Sequence, residues 1–122
     1  MKLKIKNKNY SFKFGVKFVR EIDKSMPVKR DDMEFGLGLS AKILPELQSG
    51  NINTLSKVLY IASRTETPSL TQDEIDDYVD DVEDIEGLFD EVMKDLGESN
   101  AGKLAVANLE KELKKQQNKA QS

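Results

Sequence analysis

The residues with most chemistry in them are carboxylates. Between Asp73 and Glu98 the chain carries thirteen Asp or Glu and a single base, Lys94, a local charge of −12. Paired carboxylates perform acid–base and glycosidic chemistry when they face each other across a cleft and their surroundings separate their pKa values. Here they follow one another along what reads as a solvated helical face, an arrangement unsuited to that work. Calcium is the second chemistry to weigh. Asp76, Asp80 and Asp84 miss the offsets of an EF-hand loop, and counting from Asp76 the position that needs glycine is Asp81. The pattern supports loose attraction of divalent cations and no specific metal site.

Other chemistries fail sooner. Cysteine and histidine are both absent, which removes disulfides, thiolate nucleophiles, Cys/His zinc sites and imidazole bases. Gly36-Leu37-Gly38 lacks the remaining spacing and the Lys-Ser or Lys-Thr of a phosphate loop. Arg20 and Arg64 stand alone, and their long stems suit covering apolar surface better than anchoring a ligand. No cofactor motif emerges. The residues read as a non-enzyme, an acidic helical binding module.

The carboxylates need a frame, and the same stretch supplies it. Ile75, Tyr78, Val82, Ile85, Phe89, Val92 and Leu96 recur every three or four residues, with Val79, Leu88 and Met93 beside them, which predicts one apolar helical stripe with the acids outside. Thr71 and Glu74 form a T-x-x-E capping box at its start. The seven-residue repeat suits a single coiled-coil seam. Against it, Asp84 is a cap residue, and Gly87 costs about 1 kcal/mol in a helix interior. Two consecutive helices with a bend near residues 82–84 are expected.

Upstream, Leu3-Lys4-Ile5 and Tyr10-Ser11-Phe12-Lys13-Phe14 alternate with the period of half-buried strands. Asn7-Lys8-Asn9 is the expected turn of a hairpin over residues 2–14. Its inner face is Leu3, Ile5, Tyr10, Phe12 and Phe14, and Lys2, Lys4, Lys6 and Lys8 form an outward row that guards the edge against strand pairing. Two strands alone are marginal in water, so the hairpin must lie on helices. Val16, Val19 and Ile22, with Phe18 less regularly, follow a helical stripe that stops before Pro27. Residues 26–36 read as a loop from which Met33 and Phe35 reach the core. A helix over Leu37–Leu47 presents Leu39, Ile43, Leu44 and Leu47, with its second half weakened by Pro45 and its end at Gly50. Asn51 or Asn53 caps a nearly all-apolar helix, Thr54–Arg64, expected to be the most buried. The fold class is α+β, mainly α-helical: an N-terminal β-hairpin packed on a compact bundle of about five helices. The domain spans residues 1–98, and residues 99–122 form a mobile tail, with Leu104, Val106, Leu109 and Leu113 as a weak stripe that becomes helical on a partner.

Composition fits one soluble domain of 122 residues, 38% hydrophobic and 34% charged. No apolar run approaches the roughly 18 residues of a membrane span, so no membrane role is expected. The basic start has no apolar segment behind it and is no secretory signal; a cytoplasm is the expected compartment. Charge is segregated: residues 1–30 carry +8, residues 31–72 −2, and residues 99–122 +3, for a net of −3. The acidic sum is not a nucleic-acid footprint. The basic end and the acidic helices either face each other or reduce self-repulsion.

The order of short segments adds a resemblance. Tyr10-x-Phe12-x-Phe14-Gly15-x-x-Phe18-Val19-Arg20-Glu21-Ile22-Asp23 is followed by Gly36-Leu37-Gly38-Leu39, Leu44-Pro45-x-Leu47-Gln48-Ser49-Gly50-Asn51 and Leu59-Tyr60-x-Ala62. Then come Asp76-Asp77-Tyr78-Val79-Asp80-Asp81, Leu88-Phe89-Asp90-Glu91-Val92 and Glu98-Ser99-Asn100. Over about residues 3–100 this order resembles the tail assembly chaperones of long non-contractile-tailed phages and prophages of Gram-positive bacteria. The resemblance implies a protein of the host cytoplasm that binds the tape measure protein, keeps it soluble, helps recruit tail tube subunits and is absent from the mature virion. It also implies a longer frameshifted product, for which Lys114-Lys115 marks a place. It carries over no catalytic or ligand residue. Surplus apolar positions are the expected contacts: Tyr78, Val79, Phe89 and Met93 on the acidic helices, Leu109 and Leu113 on the tail. Self-association is a further expectation. The rival readings are an acidic DNA mimic that sequesters a basic nucleic-acid-binding protein, and a structural tail component.

Overall fold

Alternation at the N-terminus builds a two-stranded antiparallel sheet, β1 (Lys2–Ile5) and β2 (Lys8–Ser11), in the register Leu3↔Tyr10 and Ile5↔Lys8. The computed structural model describes residues 1–25 and 39–121; the expected loop contacts of Met33 and Phe35 lie outside the described residues. All five expected inner-face residues are buried. The turn sits one residue earlier than expected, on Lys6 and Asn7, whose φ angles of 51° and 64° fit the twist of a two-residue hairpin loop. Asparagine tolerates that conformation; nothing in a lysine announces it. Lys8 is therefore a strand residue, exposed beside the turn. A further pair extends the ladder: the Phe12 amide donates to the Met1 carbonyl (2.8 Å) and the Met1 ammonium to the Phe12 carbonyl (3.1 Å).

Helix α1 (Val16–Ser25) buries Phe18, Val19 and Ile22. Phe14 and Phe18 meet edge to face at 5.2 Å, joining hairpin to helix. Val16, expected on the stripe, is instead 60% exposed, because the buried face runs through Phe18, Val19 and Ile22 and leaves Val16 to one side of it. Leu39, Ile43, Leu44 and Leu47 are all buried as expected, but on a π-helical turn (Leu39–Ile43) that passes into α2 (Leu44–Gln48). Pro45 has no N–H to give to an upstream carbonyl, so the helix restarts there. It stops in a Schellman motif: Gly50 adopts φ 78°, its amide donates to the Leu47 carbonyl and the Asn51 amide to that of Glu46.

Asn51 then caps α3 (Ile52–Arg64), accepting from the Thr54 amide at 3.1 Å. This helix buries eight side chains and packs against α1, α2 and α4, so it is the axis of the fold. The Lys13 amide ties the hairpin to its end through the Ala62 carbonyl. Helices α4 (Gln72–Asp81) and α5 (Ile85–Glu98) are separate, as expected. Val82 is extended between them, and Asp84 caps α5 by accepting from the Gly87 amide at 2.9 Å. A single residue, Ser99, separates α5 from α6 (Asn100–Gln121), whose first turns pack on α5 and the π-helical turn through buried Gly102 and Ala105 and half-buried Leu109. The architecture is a hairpin on a mainly helical α+β body.

Candidate functional site

The break at residues 82–84 reorganises the acidic stretch. A stripe read through it as one helix would bury Tyr78, Val82, Ile85 and Phe89. The core instead takes Ile75 and Val79 from α4, and Leu88, Val92 and Leu96 from α5. The extended residues reset the helical phase, so the seven-residue series is not one seam. Tyr78, Val82, Ile85, Phe89 and Met93 are left half-buried, packed against the core on one side and reaching solvent on the other.

Around this ridge the carboxylates Asp77, Asp81, Glu86, Asp90 and Glu91 are exposed. Burial pushes the Tyr78 hydroxyl pKa up, with a smaller contribution from the Glu91 carboxylate across the helix junction. At the other end of α4 the capping box is complete: the Thr71 hydroxyl accepts from the Glu74 amide, and the Glu74 carboxylate accepts from the Thr71 amide, each at 3.1 Å. That amide, then the Thr71 hydroxyl, hold the Glu74 pKa below its ordinary value, with Lys6 and Lys8 of the hairpin adding to the effect. Glu46 is likewise held low, first by the Thr54 hydroxyl and then by Lys42 at 3.1 Å.

Of the residues expected to meet a partner, Tyr78, Phe89, Met93 and Leu109 are half-buried, and Val79 lies in the core, 5% exposed. The Leu113 side chain lies outside the described residues. Tyr78 belongs to α4, Phe89 and Met93 stand one turn apart on α5, and Leu109 lies on α6.

Two concavities flank these elements. A cleft of about 710 Å³ lies where the hairpin exit and α1 meet the α5–α6 corner, with Phe12, Phe14 and Val16 on one side and Asp95, Glu98 and Ala101 on the other. At its edge the Met1 ammonium pairs with Asp95 at 3.4 Å. A smaller notch of about 230 Å³ lies between α3 and α4. Beside it the Ser56 hydroxyl bonds Asp76, and the Gln72 amide donates to both at 2.9 and 3.1 Å. Ile52, at 49% exposure, is a surface feature the sequence reading did not single out, and Leu104, expected on the weak stripe of the tail, is 69% exposed. Exposure of one apolar residue at a helix start leaves no trace in periodicity.

Among the described residues no group of three or more metal-binding side chains is assembled, and no buried side-chain nitrogen or oxygen lacks a partner. No described helix is long and apolar enough to cross a membrane. What α4 and α5 offer at the surface is half-buried apolar side chains beside exposed carboxylates. A family model described as "Phage tail assembly chaperone protein, TAC" matches residues 2–111. No curated protein and no solved structure matches.

Proposed function

The chain belongs to the phage tail assembly chaperone family, and from that premise we propose that it binds the tape measure protein through the α4–α5 ridge. It keeps that long helical client soluble in the host bacterial cytoplasm, assists tail tube assembly, and leaves before the virion is complete. The observation that carries this reading is the half-buried run Tyr78, Phe89 and Met93 inside a fence of exposed carboxylates. An amphipathic client helix lays its apolar face on such a ridge, and the surrounding negative charge keeps the loaded complexes from coalescing. Residue for residue, half-buried apolar groups give weak contacts that can be repeated along a long client. On this reading residues 1–98 are the chaperone body, and α6 continues from it with Ala105 in the shared core.

Co-expression with the tape measure protein tests it. Phe89→Asp with Met93→Asp should abolish co-purification while the thermal melt stays cooperative; undiminished recovery would remove the ridge from the binding site. Apolar burial predicts a complex that survives moderate salt. A DNA mimic predicts one that dissociates steeply with salt, and a structural tail component predicts stoichiometric presence in purified virions.

A further inference from the structure

The cleft between the hairpin exit and the α5–α6 corner has no part in the ridge contact. On the tape measure reading, we propose that it takes a second amphipathic segment of the same client, an apolar helical turn with carboxylates on one flank and a base on the other. At about 710 Å³ the cleft falls within the range of about 300–1,000 Å³ that binding pockets occupy. Its floor is aromatic and fixed, because Phe14 and Phe18 meet edge to face at 5.2 Å and are both buried. Four large apolar side chains are exposed among the described residues, and of these Val16 alone lines the cleft. An occupant that covers Val16 removes apolar area which the fold itself leaves in water.

The walls differ in sign. Lys13 and Lys17, both exposed, line the hairpin and α1 side. The end of α5 brings Asp95 and Glu98, and Glu66, beyond the end of α3, adds a third carboxylate. Asp95 already pairs with the Met1 ammonium at 3.4 Å, which leaves exposed Glu98 and half-buried Glu66 to meet a base. A helix laid in the cleft sets its apolar turn on Val16 and Phe14, its acids toward Lys13 and Lys17, and its base toward Glu98. Charges of both signs fix its direction as well as its place.

Helix α5 keeps this surface apart from the ridge. With about 3.6 residues per turn, Phe89 and Met93 flank the buried stripe of Leu88, Val92 and Leu96 on one side, and Asp95 and Glu98 flank it on the other. A client that reaches both sides is held at two points, and the first contact raises the effective concentration for the second.

Overlapping peptides that together cover the tape measure protein, titrated with the full chain and followed by fluorescence anisotropy, test the site. Wild type is compared with Val16→Asp, with Lys13→Glu plus Lys17→Glu, and with the ridge variant Phe89→Asp plus Met93→Asp. The three cleft positions are exposed, and acids at 16 and 17 suit the first turn of α1, so thermal melts should match wild type. Val16→Ser replaces Val16→Asp if its melt falls. Expected is a set of peptides that both cleft variants weaken at least about tenfold and the ridge variant leaves unchanged. Exchanging the acids of such a peptide for lysine should weaken its binding to wild type and restore binding to Lys13→Glu plus Lys17→Glu. A peptide set with no member that depends on the cleft overturns the proposal, and so does a charge exchange that restores nothing. Cleft variants that alter only the sedimentation of the protein by itself would seat a second copy there and overturn it equally. The ridge is judged apart from these outcomes, by whether Phe89→Asp plus Met93→Asp abolishes co-purification of the full-length client.

Discussion

Gly102→Ala is the substitution on which the packing of α6 can be judged. A Cβ at Gly102 would lie 1.6 Å from the Leu96 carbonyl oxygen and 2.6 Å from its carbon. Both are backbone atoms, so no rotamer change relieves the overlap and α6 must move off the end of α5. Three contributions set the size. The Ser99 hydroxyl accepts from the Gly102 amide at 2.9 Å as the cap of α6, and its loss costs about 1 kcal/mol. Partial exposure of Ala105 and Leu109 costs about 1–2 kcal/mol more. Alanine returns up to about 1 kcal/mol through its better helix propensity. The net is a destabilisation of about 1–2 kcal/mol, which lowers the melting temperature by about 4–8 °C for a domain near this size. Gly97→Ala is the internal control. It makes the same chemical change in α5, yet its Cβ meets nothing within 4 Å, so it should stabilise by about 0.5–1 kcal/mol. Circular dichroism melts of the two variants should move in opposite directions. A Gly102→Ala protein melting at or above wild type refutes the close approach, and equal losses in both variants would show that the effect is not steric.

The capping box and the helix ends give further expectations. Glu74 and Glu46 are both held below the ordinary glutamate value of 4.5. A lowered folded-state pKa means stability that is present above the ordinary value and lost as pH falls through the folded one. Glu74→Gln and Glu46→Gln should therefore flatten the fall in melting temperature below about pH 5, as acid titration of the three proteins would measure. Thr71→Ala should cost about 1 kcal/mol in urea unfolding, by removing the cap of α4. Asp81 lies in the last turn of α4, which has no base, and a carboxylate there opposes the helix dipole. Asp81→Asn should raise stability by about 0.3–1 kcal/mol, measured in the same urea series; a loss would mean that Asp81 has a partner on the folded surface.

What was legible in the sequence was whatever local chemistry decides alone. Strict alternation gave the inner face of the hairpin, Thr71-x-x-Glu74 the start of α4, Gly50 the end of α2, and the apolar run Leu55–Ala62 the central helix. What was not legible depended on neighbours in space. Val16 fits the period of α1, but the buried face turns toward Phe18 and leaves it outside. The series through Tyr78, Val82, Ile85 and Phe89 keeps perfect period across a gap that breaks the helix, so it marks a ridge and not a seam. Gly102 reads as a weak helix residue until the Leu96 carbonyl is seen against it. The candidate site was half legible for the same reason. Its acidity and apolar surplus are written in residue types, but which apolar groups stay within reach of solvent is decided by the phase reset at residues 82–84.

That three-residue interruption also fixes a measure. At about 1.5 Å of rise per residue, α4 and α5 offer unbroken helical runs of only about 15 and 21 Å. On the proposed function, a copy that binds through this surface spans just a few turns of its client, and coverage of an extended client then scales with the client's length.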